Sequence, residues 1–309
     1  MILFFRGLSA YAQIRLRVLC AIMLLAAALA VPAVAETSML PIKLDEYGRI
    51  TVPVTLEGRE QEQYFLLDTA ARRSLLLNRD SDTPGVKLYQ KGTIRHYSSQ
   101  GLLRLPAATI SSWLVGDRVV KNSIIGLYSD VAGAAGMVGN NVFLGRILHW
   151  KPTTDHLNVY TNTMPISGVG WHNVGGKPNR YFSMLLTTEY HGMEIAVLVA
   201  TGASRTLLSS DAARKLFPAS QAWSENNVDY KSIERGLGSE RKNFRALTLH
   251  DFKIGKWDVG DIEVLSASFD TREITGFMNA PVLILGSDIL LQHEVAFDFR
   301  DYQLWFKAQ

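Results

Sequence analysis

Short apolar stretches with strand-like spacing recur along the chain and come in pairs separated by turn residues. Residues 49–56 (RITVPVTL) alternate apolar and polar positions, which predicts a half-buried strand, and a similar stretch occupies residues 180–187 (RYFSMLLT). A turn and a second apolar run follow each of them, at residues 64–68 and 195–199. The pattern therefore predicts two similar β-hairpins, one in each half of the chain.

The second arm of each hairpin continues into a tight turn and a further apolar run. Residues 65–77 (FLLDTAARRSLLL) align with residues 197–209 (VLVATGASRTLLS) without a gap, so that Phe65 matches Val197. Strands that are apolar throughout are buried on both faces, so each turn is predicted to lie inside a core. Asp68 stands in the first turn where the second turn has Ala200.

Two further landmarks recur in the same order after these hairpins. Residues 113–120 (WLVGDRVV) match residues 252–259 (FKIGKWDV), and residues 137–143 (MVGNNVF) match residues 284–290 (ILGSDIL). The separation between the matched segments grows from each landmark to the next, which indicates one duplicated unit with small insertions in its second copy. The sequence therefore predicts an all-β fold with two lobes related by internal duplication.

The repeated turn resembles the active-site loop of the aspartic peptidases of the pepsin and retropepsin group, in which apolar residues flank Asp-Thr-Gly-Ala-Ser. Residues 284–286 (ILG) also resemble that family's hydrophobic-hydrophobic-Gly signature near the end of each lobe. The chain departs from the family pattern at Ala200, where the second aspartate belongs, and at Ala70 and Arg72 in the first copy. The resemblance covers residues 49–306 and implies two lobes, each a closed β-barrel.

The resemblance also implies a reaction. In this family two aspartates within one hydrogen-bond length share a proton, so that one activates a water while the other polarises the scissile carbonyl. Asp68 is the implied catalytic residue of the first loop, and Ala200 has no carboxyl group for the second role. The expected activity is aspartic endopeptidase cleavage of an extended peptide, lost in this form while peptide binding is kept. Asp68 alone is expected to titrate as an ordinary aspartate, at about pH 4.

Supporting residues follow from the same resemblance. The residues assigned to the active-site loops are Thr69, Ala70, Thr201, Gly202 and Ser204. The two threonines are expected to cross-link the loops by hydrogen bonds, and the serine stands where the family has one that supports the lost aspartate. Arg72 is expected to pair with a nearby carboxylate. Tyr97 resembles the flap tyrosine of pepsin-like members, and an ordinary exposed hairpin tip is the alternative for it.

Two interpretations of Ala200 stay open at the level of sequence. The intact residues 201–204 (TGAS) favour a working peptidase in which one residue has been replaced. Ala70 and Arg72 favour a natural pseudoprotease that acts as a periplasmic peptide-binding or scaffolding protein. A dimer that joins two copies of Asp68 ranks behind both, because the second lobe occupies the place of a second chain. We therefore expect a monomer.

The first 35 residues have the layout of a secretory signal peptide. Three arginines precede or adjoin an uncharged apolar run at residues 18–34, and Ala33 and Ala35 form a small-x-small cleavage site. A periplasmic or secreted mature chain is expected, with a membrane anchor over residues 18–34 as the alternative. Cys20, the single cysteine, lies within this leader, and an exported chain without disulfides is typical of a bacterial periplasm.

Removal of the leader changes the charge balance. Its three arginines account for the net charge of +3, so 29 basic residues (32 less 3) face 29 acidic ones in the mature chain. This balance does not favour a nucleic-acid partner, and the seven histidines show no metal-ligand spacing, so we expect no metal and no cofactor.

The predicted organisation is a signal peptide at 1–35, an N-terminal lobe at 36–160, a linker at 161–179 and a C-terminal lobe at 180–309. The linker is assigned because that segment is rich in Gly, Asn and Pro. Residues 210–217 predict a short helix whose N-cap is Ser210 or Asp211.

Overall fold

The computed structural model describes residues 37–98, 101–129, 134–161, 170–218, 230–233 and 242–308. The predicted leader, including the apolar run at residues 18–34, lies outside these ranges. In the part of the chain that is described, no helix is long and apolar enough to cross a membrane. Strands dominate the described part, as the alternating and fully apolar runs of the sequence predict.

The strands of the first half follow one another with short connections. They are β1 (Thr37–Pro41), β2 (Lys43–Leu44), β3 (Ile50–Leu56), β4 (Gln63–Asp68), β5 (Leu75–Leu77), β6 (Val86–Ser98), β7 (Gly101–Val115), β8 (Arg118–Tyr128), β9 (Gly136–Gly139), β10 (Ile147–Trp150) and β11 (His156–Tyr160). Single 3-10 turns at Asn78–Asp80 and Asn140–Val142 follow β5 and β9.

The second half repeats this series and adds short helices. Its strands are β12 (Trp171–Gly175), β13 (Lys177–Pro178), β14 (Met184–Tyr190), β15 (Met193–Val199), β16 (Leu207–Ser209), β17 (Tyr230–Ile233), β18 (Lys242–Ile254), β19 (Trp257–Ala267), β20 (Val282–Leu285), β21 (Val295–Asp298) and β22 (Gln303–Lys307). Its helices are α1 (Ser210–Leu216), α2 (Thr271–Thr275) and α3 (Ser287–Leu290).

Each half builds an eight-stranded sheet with the same strand order. The order is β2-β3-β4-β9-β5-β8-β7-β6 in the first half and β13-β14-β15-β20-β16-β19-β18-β17 in the second. In both, the strand that leads into the turn runs parallel to a later strand, β4 to β9 and β15 to β20. An added pairing of β3 with β7 closes the first sheet. The predicted all-β, two-lobed and internally duplicated fold is confirmed.

A third sheet joins the two halves, with the strand order β1-β11-β10-β21-β22-β12. Its central strands β10 and β21 are antiparallel, with Ile147 opposite Asp298 and Trp150 opposite Val295. Because the two strands have equivalent places in the two halves, this pairing is symmetric about a local twofold axis. The outer pairs, β1 with β11 and β12 with β22, repeat the same relation on either side.

The hydrophobic core is continuous across this joining sheet. One cluster of buried side chains contains Val52 and Phe65 from the first barrel, Leu148 and Phe297 from the central pair of strands, and Leu249 from the second half. Burial of this apolar surface stabilises both halves together, because neither half's share of the cluster is complete without the other.

Strand β3 is buried on both faces, whereas the alternating sequence predicts one exposed face. Val52 and Val54 belong to the core cluster. On the other face Thr51 is 4% exposed, and its hydroxyl donates a hydrogen bond to the Lys43 carbonyl of β2 at 2.9 Å. The polar position is therefore satisfied inside the protein, a possibility that a pattern of hydrophobicity does not reveal.

The segment predicted as a linker is partly built into the second lobe. Residues 162–169 lie outside the described residues, but Trp171–Gly175 and Lys177–Pro178 form β12 and β13. These strands have the places in the second half that β1 and β2 have in the first, so the duplication begins earlier than the sequence landmarks suggested. The proposed lobe boundaries otherwise stay predictions.

Helix α1 begins at Ser210, within the predicted range, but its N-cap differs from the predicted one. Its N-cap is Ser209, and the cap makes no side-chain hydrogen bond to the helix. The Ser209 hydroxyl instead accepts the Val282 backbone N–H at 3.2 Å. The prediction of Ser210 or Asp211 as the N-cap was wrong, because the end of β16 is tied to β20 by the preceding serine.

The joining sheet makes the central strands sensitive to cavities. Phe297 is 1% exposed and faces Leu148 across the register. We expect Phe297→Ala to lower the free energy of unfolding by about 3–5 kcal/mol, through lost burial and the cavity left behind. Met39→Ala in β1 of the same sheet, a residue 63% exposed, is the control and should change it by less than about 0.5 kcal/mol. Urea denaturation measures both, and equal effects would contradict the assignment of the core.

Candidate active site

The two repeated turns meet at the local twofold axis. Asp68 ends β4, and Ala200 directly follows β15. Each turn packs closely against the residues that follow a later strand, at Gly139 in the first half and Gly286 in the second. A Cβ atom built on Gly286 would lie 2.7 Å from the Arg205 carbonyl oxygen, so only glycine fits there.

Four hydrogen bonds join the turns through two threonines. The Thr69 N–H donates to the Thr201 hydroxyl and the Thr201 N–H donates to the Thr69 hydroxyl, each at 3.1 Å. The Thr69 hydroxyl donates to the Val199 carbonyl at 3.1 Å, and the Thr201 hydroxyl donates to the Leu67 carbonyl at 2.7 Å. Both threonines are at most 1% exposed, so every one of these polar groups depends on its partner across the axis.

A second pair of polar side chains supports these turns from behind. The Ser287 hydroxyl donates to the Thr201 carbonyl at 2.6 Å, and the Asn140 side-chain amide donates to the Thr69 carbonyl at 3.3 Å. Backbone N–H groups of both residues donate to the turns as well. The sequence reasoning missed this pair, although both residues directly follow the glycine of the repeated hydrophobic-hydrophobic-Gly signature.

Asp68 lies at the meeting point of the two turns and is half-buried as a residue. It accepts the Ala70 N–H at 2.8 Å, and a Cβ atom built on Gly202 would lie 2.5 Å from its carboxyl carbon. Burial raises the pKa of Asp68, against the opposing effects of backbone N–H groups of Ala70, Ala71 and Gly202 and of the Arg49 charge. The expectation that Asp68 titrates as an ordinary aspartate was therefore wrong, because the surrounding protein removes water from the carboxylate.

Ala200 occupies the equivalent place in the second turn and is 4% exposed. It belongs to an apolar cluster with Leu185 and Leu198, and Ala70 of the first turn packs against this cluster. The side of the site opposite Asp68 is therefore lined by methyl and larger apolar groups.

The twofold relation explains why residue 70 can be an alanine. Ala70 is equivalent to Gly202, and Gly202 must lack a side chain because the Asp68 carboxylate occupies the space where a Cβ would be. By the same symmetry, a carboxylate at residue 200 would occupy the space now filled by the Ala70 methyl group. The two alanines are mutually compatible, whereas an aspartate at residue 200 and an alanine at residue 70 are not without a shift of the backbone.

A buried arginine lies within electrostatic range of the site. Arg49 is 1% exposed and forms an ion pair with Asp45 at 2.6 Å, and its charge lowers the pKa of Asp68. Asn179 has the position of Asp45 in the second half, where it accepts the Ser183 N–H at 3.0 Å. The sequence reasoning used Arg49 only as the start of a strand, since its neighbours across the fold cannot be read from local pattern.

The expected contacts of Arg72 and Ser204 are not found among the described residues. Arg72 does not pair with a carboxylate among the described residues; its guanidinium lies 3.5 Å from the Arg180 carbonyl and over the Phe182 ring. The Ser204 hydroxyl makes no hydrogen bond to another described residue, so a supporting role for it stays a prediction.

The flap assignment also stays a prediction. The Tyr97 backbone lies in β6 and pairs with Leu102 of β7, which makes it part of a long hairpin next to the first turn. Its side chain is outside the described part of the structure, as are residues 234–241 of the corresponding segment in the second half.

One carboxylate sets the chemistry that this arrangement can perform. An ionised Asp68 can accept a proton, and a protonated Asp68 can donate a hydrogen bond, but a single group cannot do both in one step. Within the described ranges, no three His, Cys, Asp or Glu side chains are grouped so that they could hold a metal ion.

Comparison with known proteins identifies the fold. The structure is similar to the crystal structure of aspartic proteinase from Irpex lacteus, with a TM-score of 0.55 and 15% sequence identity, over 89% of this chain and 98% of that one. No protein-family model matches the sequence, and no curated protein matches it closely. The similarity establishes the pepsin-like, two-lobed fold.

The threonine hydroxyls are expected to stabilise the fold independently of any catalysis. Thr69→Val removes the hydroxyl and leaves the Thr201 N–H and the Val199 carbonyl buried without partners, so it should cost about 2–5 kcal/mol. Thr69→Ser keeps the hydroxyl and should cost about 1 kcal/mol for the lost methyl group. Urea denaturation measures the difference, and equal losses in the two variants would show that the hydrogen bonds contribute nothing.

The titration of Asp68 is expected to have a midpoint above its ordinary value of 3.8. Because the folded state then binds this proton more tightly than the unfolded chain, the stabilisation from Asp68 is present below pH 3.8. It is lost as the pH rises through the folded-state pKa. Carbon NMR of the side-chain carboxyl, assigned with Asp68→Asn, measures the midpoint, and a value at or below 3.8 contradicts burial as the dominant effect.

Proposed function

We propose that this protein binds an extended peptide between its two lobes and does not hydrolyse it. The observation that carries the proposal is the composition of the paired turns, where Asp68 is the one carboxylate and lies against Gly202, while Ala200 and Ala70 line the other side. The fold supports a peptide ligand, since the similar structure is an aspartic proteinase. The missing second carboxylate supports the absence of cleavage.

Asp68 can hydrogen-bond to a bound peptide without a second carboxylate. Asp68 is a half-buried residue that lies against Gly202 at the meeting point of the turns. There it can accept a backbone N–H of a bound peptide when ionised, or donate to a peptide carbonyl when protonated. The raised pKa increases the protonated fraction under mildly acidic conditions, and peptide binding is therefore expected to depend on pH.

Apolar surface on both sides of the turns supports the same ligand class. In the first lobe, Ile94 and Leu103 of the β6–β7 hairpin are partly buried against a cluster that includes Ala71. In the second lobe, Phe244 and Phe269 are partly buried against the cluster that includes Ala200. An extended peptide with apolar side chains fits such a site, with backbone hydrogen bonds of the kind that strands make.

A disarmed aspartic endopeptidase is the second candidate function. It is favoured by the complete hydrogen bonding between Thr69 and Thr201 and by Gly202, which would all serve a working pair of aspartates. The Ala70 methyl group argues against replacement at residue 200 alone, because the first turn has also lost the glycine that a second carboxylate requires. A natural pseudoprotease therefore explains more of the site than a single replacement does.

We place this function in the cell envelope, on the basis of the leader at residues 1–35. Intact-mass measurement of the protein recovered from the periplasmic and membrane fractions tests this proposal. A chain that begins at Glu36 supports cleavage after Ala35, and a chain that keeps residues 18–34 supports a membrane anchor.

The central test compares the wild type with Ala200→Asp and with Ala70→Gly/Ala200→Asp on a mixed peptide library from pH 3 to pH 7. We expect the wild type to retain particular peptides intact. Ala200→Asp alone should be destabilised by about 1–3 kcal/mol, because its carboxylate meets the Ala70 methyl group, and Ala70→Gly should relieve this cost. Mass spectrometry of the peptides and urea denaturation of the variants are the measurements.

The outcomes separate the two functions. Peptide binding without cleavage by the wild type supports the proposed binder, and cleavage gained only in the double variant supports descent from a peptidase that needed both positions. Cleavage by the wild type overturns the proposal. A full gain of cleavage in Ala200→Asp alone would show that Ala70 does not obstruct a second carboxylate.

A further inference from the structure

Both halves contain an arginine at the same position, but the charged neighbours of this arginine differ between the halves. Arg73 and Arg205 occupy the same position in the two aligned turns. Each directly precedes a hydroxyl residue that accepts a backbone N–H from the neighbouring glycine, Ser74 from Gly139 at 3.1 Å and Thr206 from Gly286 at 3.0 Å. The local backbone is therefore the same around both arginines.

In the second half the arginine is neutralised by carboxylates. Arg205 forms an ion pair with Glu263 of β19, and its Nε atom lies 3.6 Å from a carboxylate oxygen of Asp288 in α3. Asp288 also accepts a hydrogen bond from the Thr206 hydroxyl at 2.7 Å. Both counter-charges belong to the lobe itself, so this guanidinium is already occupied.

In the first half both carboxylates are replaced by neutral residues. Asn141 is equivalent to Asp288. The contact of the Asn141 side chain with the Ser74 hydroxyl at 3.2 Å supports this equivalence. Ile124 stands at the position of Glu263, because β8 and β19 pair in the same register with β5 and β16. Among the described residues, the Arg73 side chain makes no hydrogen bond and no ion pair.

A second arginine adjoins Arg73 and also lacks a carboxylate partner among the described residues. The charge of Arg72, together with partial burial, lowers the pKa of Arg73, with burial as the larger cause. Arg72 lies over the Phe182 ring, which is 41% exposed, and against the Arg180 carbonyl. Two adjacent, partly buried cations that have no counter-charge among the described residues are unfavourable unless an anion binds them.

The arginines belong to the same turn as Asp68. The Ala70 carbonyl accepts a hydrogen bond from the Ser183 hydroxyl at 2.7 Å, which ties the turn to the loop of the second lobe that Arg72 contacts. Arg72 therefore lies at the seam between the lobes, and Arg73 directly follows it in the same turn. A peptide that passes Asp68 along this seam would bring its side chains or its terminus to the arginines.

We propose that Arg72 and Arg73 form a binding site for a carboxylate of the bound peptide, either an acidic side chain or the peptide's C-terminus. The guanidinium group of arginine matches a carboxylate by two parallel N–H bonds, and the ligand supplies the charge that Glu263 and Asp288 supply to Arg205. This inference rests on the proposed peptide-binding function and names the ligand chemistry of the same site.

The test uses synthetic octapeptides with a fluorescent label and an amidated C-terminus, in which each position in turn is Glu or Gln. A second series has Gln throughout the scanned positions and a free C-terminal carboxylate. We expect the wild type to prefer one carboxylate-bearing series over its neutral counterpart by about tenfold, or about 1.4 kcal/mol. Arg73→Gln should abolish that preference while leaving the affinity for the neutral peptides unchanged. Fluorescence anisotropy at low and high salt measures the affinities.

The control variant is Arg79→Gln, which removes the same charge from the same lobe at a side chain that is 72% exposed. It should keep the preference, since long-range attraction by a surface charge is screened by salt. A preference that survives in Arg73→Gln, or an equal affinity for Glu and Gln at every position and for both termini, overturns the carboxylate site while peptide binding stands. Failure of the wild type to bind any peptide in either series overturns the proposed function itself.

Discussion

The hydrogen bonds between Thr69 and Thr201 hold the two halves in register at the point where function is expected. Each threonine hydroxyl accepts one N–H from the opposite strand-turn segment and donates to one carbonyl of that segment. Both the O–H donor and a lone pair of each hydroxyl are therefore hydrogen-bonded across the axis. None of these bonds involves a carboxylate. Holding the two turns together therefore does not require a carboxyl group at residue 200.

Because the two halves have the same backbone arrangement, the effect of a different side chain in one half can be inferred from its equivalent in the other. The backbone of both turns is equivalent, and in each half a glycine N–H donates to the hydroxyl of Ser74 or Thr206. A difference in side chain between the halves can therefore be compared directly with the equivalent residue. Asp68 faces Gly202, and the alanine at residue 200 faces the alanine at residue 70. Arg205 has two carboxylates, whereas Arg73 has Asn141 and Ile124 in their places. Charge and space have thus been rearranged locally without disturbing the fold.

The sequence predicted the fold better than the site. Hairpins, duplicated order and the two turns follow from strand periodicity and from matched landmarks, which are local properties of the chain. The burial of Thr51, the pKa of Asp68 and the role of Arg49 depend on residues brought together from distant positions, and local pattern carries no information on them. The strands β12 and β13 were missed because Gly, Asn and Pro suggest a loop, while pairing with β22 and β14 makes them strands.

The pair of alanines shows how a degenerate motif is best interpreted in a duplicated fold. Taken alone, Ala70 departs from the pattern in one copy and Ala200 departs from it in the other, and neither explains the other. Across the twofold axis, a glycine is required at residue 202 because a carboxylate from Asp68 fills the space beside it. At residue 70 that requirement disappears once residue 200 has no carboxylate, and a methyl group there fills the apolar volume instead. The alanines at residues 70 and 200 are thus explained together by their packing. The role of each residue depends on the residue that faces it in the other half.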